Sequence, residues 1–291
     1  MADTSKADSA RGSRPAWEAE VRRVQRITPN MVRVVLGGPG LAGFAADEFA
    51  DHYVKLLFAP PGVAYPEPFD VHRIRAELPR ERWPRTRTYT VRRWEPDAGE
   101  LTLDVVVHGD AGLAAPWAAA AEPGDVVRFL GPGGGCAPAP DAEWHLLVGD
   151  ESALPAIAVA LERLPAGARA HAVIEVAGPE EEQKLDTAAD ATVTWVHRGE
   201  RRVGDALLEA VSTLDFPAGA VDAFVHGEAG FVRALRRLLL VDWRVPRERL
   251  SISGYWRLHH DEDGWQATKR DYNRRAEAEI DADLGPPPRH Q

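Results

Sequence analysis

Gly131-Pro132-Gly133-Gly134-Gly135-Cys136-Ala137-Pro138-Ala139-Pro140 marks a change of texture, because the chain on either side of it follows a different periodicity. Before it, short apolar runs at 32–36, 53–58, 88–92, 101–107 and 126–130 are split by turn clusters: Gly37-Gly38-Pro39-Gly40, Pro60-Pro61-Gly62, Pro96-Asp97-Ala98-Gly99 and Pro123-Gly124-Asp125. In the first run Val32, Val34 and Leu36 alternate with Met31, Arg33 and Val35. Short runs divided by turn chemistry, with little helical periodicity, predict an antiparallel barrel or sandwich over 15–140. After the stretch, strand patterns at 144–148, 170–176, 192–196, 221–226 and 250–253 alternate with helical patterns at 152–164, 203–211 and 229–241. Within the last helix Phe231, Ala234, Leu235, Leu238 and Leu239 share one face, and Arg233, Arg236 and Arg237 the other. Alternation of strand and helix needs crossover connections, which predicts a mainly parallel sheet over 141–258. The dividing stretch is itself read as an interdomain turn. It resembles a phosphate loop only in its glycines, since no helix follows and no Lys-Ser/Thr pair is present.

Residues 1–14 are small and polar, with no apolar core to a leader, and predict a disordered tail. At the other end, 261–283 has helix-forming composition, packed by Trp265 and Tyr272, and Gly285-Pro286-Pro287-Pro288 stops it, so 259–291 is read as a helix and tail. The net charge of −10 argues against nucleic acid and against an anionic membrane surface. A single cysteine, Cys136, excludes an intramolecular disulfide and a Cys-rich zinc site, and fits a reducing cytoplasm. No apolar stretch approaches the roughly 20 residues of a membrane span.

Three segments carry candidate chemistry. Arg87-Thr88-Tyr89-Thr90 offers an aromatic plane, a small hydroxyl and a cation, which are what a flavin ring, its redox nitrogen and its pyrophosphate need; Thr and Tyr are also ordinary strand formers. Around it stand eight arginines, at 73, 75, 80, 82, 85, 87, 92 and 93, against Glu77 and Glu81, a local positive excess able to attract an anion or simply to form a solvated loop. Gly149-Asp150-Glu151-Ser152-Ala153-Leu154-Pro155-Ala156-Ile157 joins the first strand of the α/β half to its first helix, where dinucleotides dock, but Asp150 and Glu151 would repel a pyrophosphate unless turned away. Glu175, ending the second strand of that half, is placed to accept from a ribose hydroxyl and so leans towards NADH, although its distance of 26 residues from Gly149 exceeds the usual spacing of about 20. His259-His260-Asp261-Glu262-Asp263 is read as a solvated turn, because contiguous side chains point to different faces.

These segments, taken with Asp104-Val105-Val106-Val107-His108-Gly109, Trp117-Ala118, Trp195-Val196-His197-Arg198, His226-Gly227-Glu228-Ala229 and Gly254-Tyr255-Trp256-Arg257, occur in one order and resemble the siderophore-interacting proteins, bacterial flavin-dependent ferric-siderophore reductases. The resemblance covers 17–265. It departs at Gly112-Leu113-Ala114, where the family commonly has Gly-Pro-Ala, at Ser152, where Thr is usual, and at Leu258-His259-His260, which replaces a more basic run. The helical extension is similar to that of the subgroup associated with NADH.

The fold this resemblance implies is an N-terminal antiparallel FAD-binding β-barrel followed by a ferredoxin-reductase-like parallel α/β domain. It implies an FAD site of Arg87, Thr88, Tyr89, Thr90, Asp104, Val106 and His108, completed by Ala114, Ala115 and Trp117 in the 112–117 turn. Asp150, Ser152, Ala153 and Glu228 would line the nicotinamide side, with Tyr255 and Trp256 near the flavin. Lys55 and, more weakly, Arg198 would bind an anionic ferric siderophore. The implied reaction passes electrons from NADH or NADPH through FAD to Fe(III), in a cytoplasmic monomer without protein iron ligands. A general flavin or ferredoxin-type reductase and a non-catalytic siderophore- or flavin-binding protein remain the alternatives.

Overall fold

The computed structural model describes residues 16–46, 49–107, 112–216 and 219–284. Six strands form the first half: β1 (Trp17–Thr28), β2 (Met31–Gly37), β3 (Tyr53–Phe58), β4 (Arg85–Glu95), β5 (Glu100–Val106) and β6 (Val126–Gly133). They close in the order β1-β2-β5-β4-β3-β6, every pairing antiparallel. Closure removes unpaired edges and lets alternate residues fill the interior. Val21, Val34, Leu36, Val54, Leu56, Leu101, Leu103, Val105 and Phe129 form that core. Phe44 plugs one part of it, meeting Trp17, Trp94 and Phe129 edge-on. β1 is a twelve-residue strand with register shifts between Val21 and Arg23 and between Arg26 and Thr28. The arginine-rich segment is not a plain loop: it folds into α1 (Val71–Glu77), capped by Asp70, whose carboxylate accepts from the His72 and Arg73 amides. A second short helix, α2 (Ala114–Ala120), follows β5.

β6 runs through Gly133, so the first three residues of the Gly/Pro stretch are strand. A Cβ at Gly133 would lie 2.4 Å from Cζ of Tyr53, so a larger residue there would displace that ring. The second half is a five-stranded parallel sheet of β7 (Trp144–Gly149), β8 (Arg169–Val176), β9 (Asp190–His197), β10 (Val221–Glu228) and β11 (Leu250–Trp256), ordered β11-β10-β7-β8-β9. β7 lies in the middle and is buried along its whole length, as a strand covered on both faces must be. Leu147 packs with α3 (Leu154–Arg163) on one face. Leu146 and Val148 pack with α4 (Asp205–Ser212) and α5 (Ala229–Arg237) on the other. The chain leaves β7 towards β8 and later returns to β10 on its far side, which makes the carboxyl ends of β7 and β10 the topological switch point.

The last element, α6 (Glu262–Leu284), buries Trp265, Ala276 and Ile280. It lies along α5 through Arg233–Glu279, Arg236–Glu277 and Arg237–Asp283 ion pairs, and its first turn reaches β4 of the barrel. The halves are further tied by Arg92–Glu162 at 2.6 Å and by Glu181, which accepts from the Thr28 hydroxyl and the Asn30 amide. Among the described residues no helix is long and apolar enough to cross a membrane.

Candidate functional site

β4 carries Arg87, Thr88, Tyr89 and Thr90 and pairs with β3, so that Leu56, Lys55, Val54 and Tyr53 stand opposite them in turn. Thr90 is buried, and the Tyr89 ring packs against the barrel core. Burial first, then the nearby Glu262 carboxylate, pushes the Tyr89 hydroxyl well above the ordinary phenol range. The Arg87 guanidinium donates to the Thr86 carbonyl at 2.6 Å and stands 3.5 Å from Asp263. Lys55 has no carboxylate within ion-pair distance among the described residues; its ammonium lies 5.8 Å from the centre of the Tyr53 ring.

Two residues that sequence reading left out complete this face. Glu262, read as part of a solvated turn, is half-buried: its carboxylate accepts from the Thr88 amide at 2.8 Å and the Thr88 hydroxyl at 2.5 Å. Burial raises its carboxyl above the usual range, against the pull of the Thr88 bonds, Arg87 and Lys55. Lys269, two turns along α6, is also half-buried, and burial lowers its ammonium, with Lys55 adding to the effect and Glu262 opposing it. The available signal was the spacing: Glu262, Trp265 and Lys269 fall on one helical face, and Trp265 is the residue that must be buried.

Several expected contacts are already committed within the protein. Both oxygens of buried Asp104 accept from Arg33 at 2.7 Å, with Arg92 at 3.7 Å, so this carboxylate neutralises barrel arginines. Val106 pairs with Met31 at the end of β5. Ala114 and Ala115 are buried in the first turn of α2, and Trp117 meets Phe58 edge-on. His108 lies outside the described residues.

At the switch point Asp150 is 0% exposed. It accepts from the Ser152 amide and hydroxyl at 3.0 and 2.5 Å, from the Glu228 amide at 2.9 Å and from the Trp256 indole at 2.8 Å. Burial, helped by Glu151, pushes its carboxyl up to about 6. The carboxylate is turned inward, which removes the repulsion a pyrophosphate at this turn would meet. Glu228 likewise faces its own helix, accepting from Gly230, Phe231 and Leu258 amides. Ala153 is buried behind the turn, and burial raises the Tyr255 hydroxyl well above its ordinary value.

The reading of Glu175 as a ribose acceptor is corrected. The side chain is fully buried, accepts from the Gly204 and Leu207 amides at the start of α4, and meets Arg198 at 3.3 Å. A carboxylate spent on a helix start and an arginine cannot reach a ribose. Arg198 in turn is gripped by Glu151 through contacts of 2.7 and 3.1 Å.

The barrel face fits a flavin. Tyr89 supplies a ring and Thr90 a hydroxyl, and among the described residues the Arg87 guanidinium is held by its neighbouring carbonyl and a long contact to Asp263. At Gly112, whose φ is +93°, a Cβ would meet nothing within 4 Å, and the first turn of α2 beyond it has no side-chain cap.

A closed antiparallel barrel followed by a parallel sheet with its crevice at the switch point defines the ferredoxin-reductase class of fold. A solved ferredoxin reductase of a carbazole 1,9a-dioxygenase shares it, with 16% identity, 83% of this chain and 69% of that chain covered, and a TM-score of 0.59. The chain belongs to the siderophore-interacting protein family: residues 20–136 match the siderophore-interacting FAD-binding domain and residues 142–259 the siderophore-interacting protein model. An uncharacterized protein of Mycobacterium tuberculosis is 44% identical over 92% of this chain and 98% of its own length. The ferric vibriobactin reductase of Vibrio cholerae is 31% identical, over 84% and 90% respectively. The crystal structure of a siderophore utilization protein from T. fusca is 40% identical, covers 84% of this chain and 94% of its own, and superposes with a TM-score of 0.73.

Proposed function

We propose that the protein is a ferric-siderophore reductase that takes electrons from NADH or NADPH and delivers them to Fe(III) in a docked siderophore, which then releases Fe(II). The observation that carries this reading is the cationic face beside the flavin strand: Lys55 on β3, opposite Thr88, lies close enough to Lys269 on α6 to disfavour the Lys269 charge, with Arg87 on β4 beside them. The fold, the family and the relative named as a ferric vibriobactin reductase support it. Bound FAD would supply the conversion between a two-electron donor and a one-electron acceptor.

The protein's own residues do the rest. Arg87, Tyr89 and Thr90 hold the flavin on the barrel with the 112–117 turn, while Thr88, expected among them, is taken up by Glu262. Asp104 keeps Arg33 and Arg92 in place beneath that site. The Gly149 turn, with Ser152, Ala153 and Glu228, receives the nicotinamide nucleotide, and Asp150 fixes the Trp256 indole at its edge. Lys55 and Lys269 dock the anionic siderophore, whereas Arg198, already paired with Glu151 and Glu175, is left out. With Glu175 spent on α4, the choice between NADH and NADPH rests on other residues. The cytoplasm is the assigned compartment, a setting the single Cys136 fits.

The test is anaerobic reduction of the flavin-loaded protein with each nicotinamide, followed by reoxidation with a panel of ferric siderophores and with free flavin. Bleaching by a nicotinamide and faster reoxidation by siderophores than by free flavin are expected. Indifference to the siderophore would assign a general flavin reductase, and a purified chain that retains no flavin would remove the reading. Lys55→Ala should raise KM for the siderophore and leave flavin content intact.

A further inference from the structure

α6 does more than cover α5, because its first residue is used on the opposite half of the molecule. Glu262 turns away from its own helix and binds both the amide and the hydroxyl of Thr88. The charged groups facing it come from three elements: Arg87 on β4, Lys55 on β3, and Asp263 and Lys269 on α6. His226, on β10, stands next to Lys269 and is kept neutral by burial. Three cations thus share the face with two carboxylates. Of these, Asp263 is largely solvated, at 45% side-chain exposure, and Glu262 is the one held inside the cluster.

A carboxylate fixed among docking cations lowers the attraction of the face for an anion, and lowers it more the more charge the anion carries. We propose that Glu262 is a specificity-determining residue: by subtracting one charge from the Lys55–Lys269 dock it tunes the site to ferric chelates of low net charge, of the neutral tris-hydroxamate kind, and against trianionic tris-catecholates. This inference rests on the reading of that face as the siderophore dock.

Thr88 provides the control that separates charge from mere anchoring. A glutamine at 262 keeps both bonds, its amide oxygen accepting from the Thr88 amide and its NH2 donating to the Thr88 hydroxyl, and removes only the charge. For a ligand charge roughly 8 Å away across a wet interface, one unit charge changes affinity on the order of 3-fold per unit of ligand charge. A trianionic chelate should therefore respond by roughly 10- to 30-fold relative to a neutral one.

The experiment uses the flavin-loaded full chain, wild type and Glu262→Gln, with a ferric tris-hydroxamate and a ferric tris-catecholate. KM is measured for each, and equilibrium binding of the redox-inert gallium(III) analogues is followed in parallel. The ratio of KM, and of gallium-chelate Kd, between catecholate and hydroxamate should fall at least 10-fold in the variant, and the change should shrink in 0.5 M NaCl. Glu262→Asp, which keeps the charge on a shorter side chain, should retain the wild-type ratio. An unchanged ratio in Glu262→Gln, or an equal fall in Glu262→Asp, overturns the inference. If the reduced wild type transfers electrons to neither chelate, the docking reading itself fails, a result distinct from an unshifted ratio in an active enzyme.

Discussion

Replacing Trp265 by alanine asks what holds α6 against the body of the protein. Trp265 is 1% exposed and is among the largest fully buried side chains. It seats on β11 at Gly254, where a Cβ would lie 3.1 Å from its Cζ2, and its ring meets Tyr272 edge-on at 5.4 Å. Removing a side chain of this size from a packed site costs about 3–5 kcal/mol. The visible alternative is the row of ion pairs, Arg233–Glu279, Arg236–Glu277, Arg237–Asp283, Arg247–Glu277 and Arg247–Asp281. Most of these side chains are more than a quarter exposed, and each such pair contributes roughly 0–1 kcal/mol, less at high salt. The apolar anchor therefore outweighs any one of the pairs several-fold.

Trp265→Ala is accordingly expected to free the helix locally. Most of a helix's stability in a protein comes from the packing of its buried face rather than from helix propensity. Amide exchange over 262–284 should accelerate by two orders of magnitude or more, since about 3 kcal/mol corresponds to roughly a hundredfold in an opening constant. The barrel amides should hold their protection, and a protease should clip the helix from an otherwise folded chain. Arg247→Ala, or 1 M NaCl on the wild type, should change exchange in α6 by less than about fivefold. Release of the helix by salt alone, or protection in Trp265→Ala within about 1 kcal/mol of the wild type, would refute the ranking of burial over charge.

Gly149→Ala places a Cβ 2.5 Å from Ala153 Cβ and 2.7 Å from the His226 carbonyl, so backbone must move; a loss of about 1–3 kcal/mol in denaturant unfolding is expected, and a neutral result would contradict the tight turn. His226, buried and lowered to about 3, loses stability for the fold as pH drops below its unfolded value of about 6.5, whereas Asp150, raised to about 6, adds stability as pH falls through 6. Between pH 6.5 and 5 the wild type should therefore fare worse than His226→Phe by about 2 kcal/mol, measured as the difference in their urea stabilities, and parallel pH profiles would reject the buried neutral imidazole. Arg33→Ala strands the Asp104 carboxylate with only a distant Arg92, and about 3 kcal/mol should be lost; Arg33→Ala with Asp104→Ala should regain part of it, and strict additivity would show that the pair is uncoupled.

The two-part architecture was legible because turn residues bracket every barrel strand and because strand and helical periods alternate after 140. The length of β1 was harder to read: its two register shifts break the period of two, and Glu18, Glu20, Arg22 and Arg23 interrupt its apolar run. Residues 87–90 were readable as a motif, but their neighbour Glu262 lies 174 positions from Thr88, and nothing in the sequence states the register between α6 and β4. Glu175 misled for a different reason. Its place at a strand end is visible in sequence, but whether a carboxylate there faces a ligand or a helix start depends on Gly204 and Leu207, which the crossover brings back some thirty positions later.

That inward use of carboxylates bears on how a chain of net charge −10 can present a cationic face. Asp150, Glu175 and Glu228 all sit at the carboxyl end of the parallel sheet, the edge that faces the crevice. Each is buried and answered by backbone amides, with an indole added for Asp150 and a guanidinium for Glu175. Backbone donors hold these carboxylates in place and satisfy their oxygens. Arg198 is taken up in the same place by Glu151 and Glu175, so it adds no free cation to the turn around Gly149. The free cations stand on the other wall of the crevice, Arg87 and Lys55 on the barrel and Lys269 on α6, with the Glu262 carboxylate hydrogen-bonded to Thr88 among them. A substitution at 262 consequently acts on a balance of a few charges, whereas substitutions among the exposed acidic residues of the outer helices act through solvent and are screened within about 10 Å.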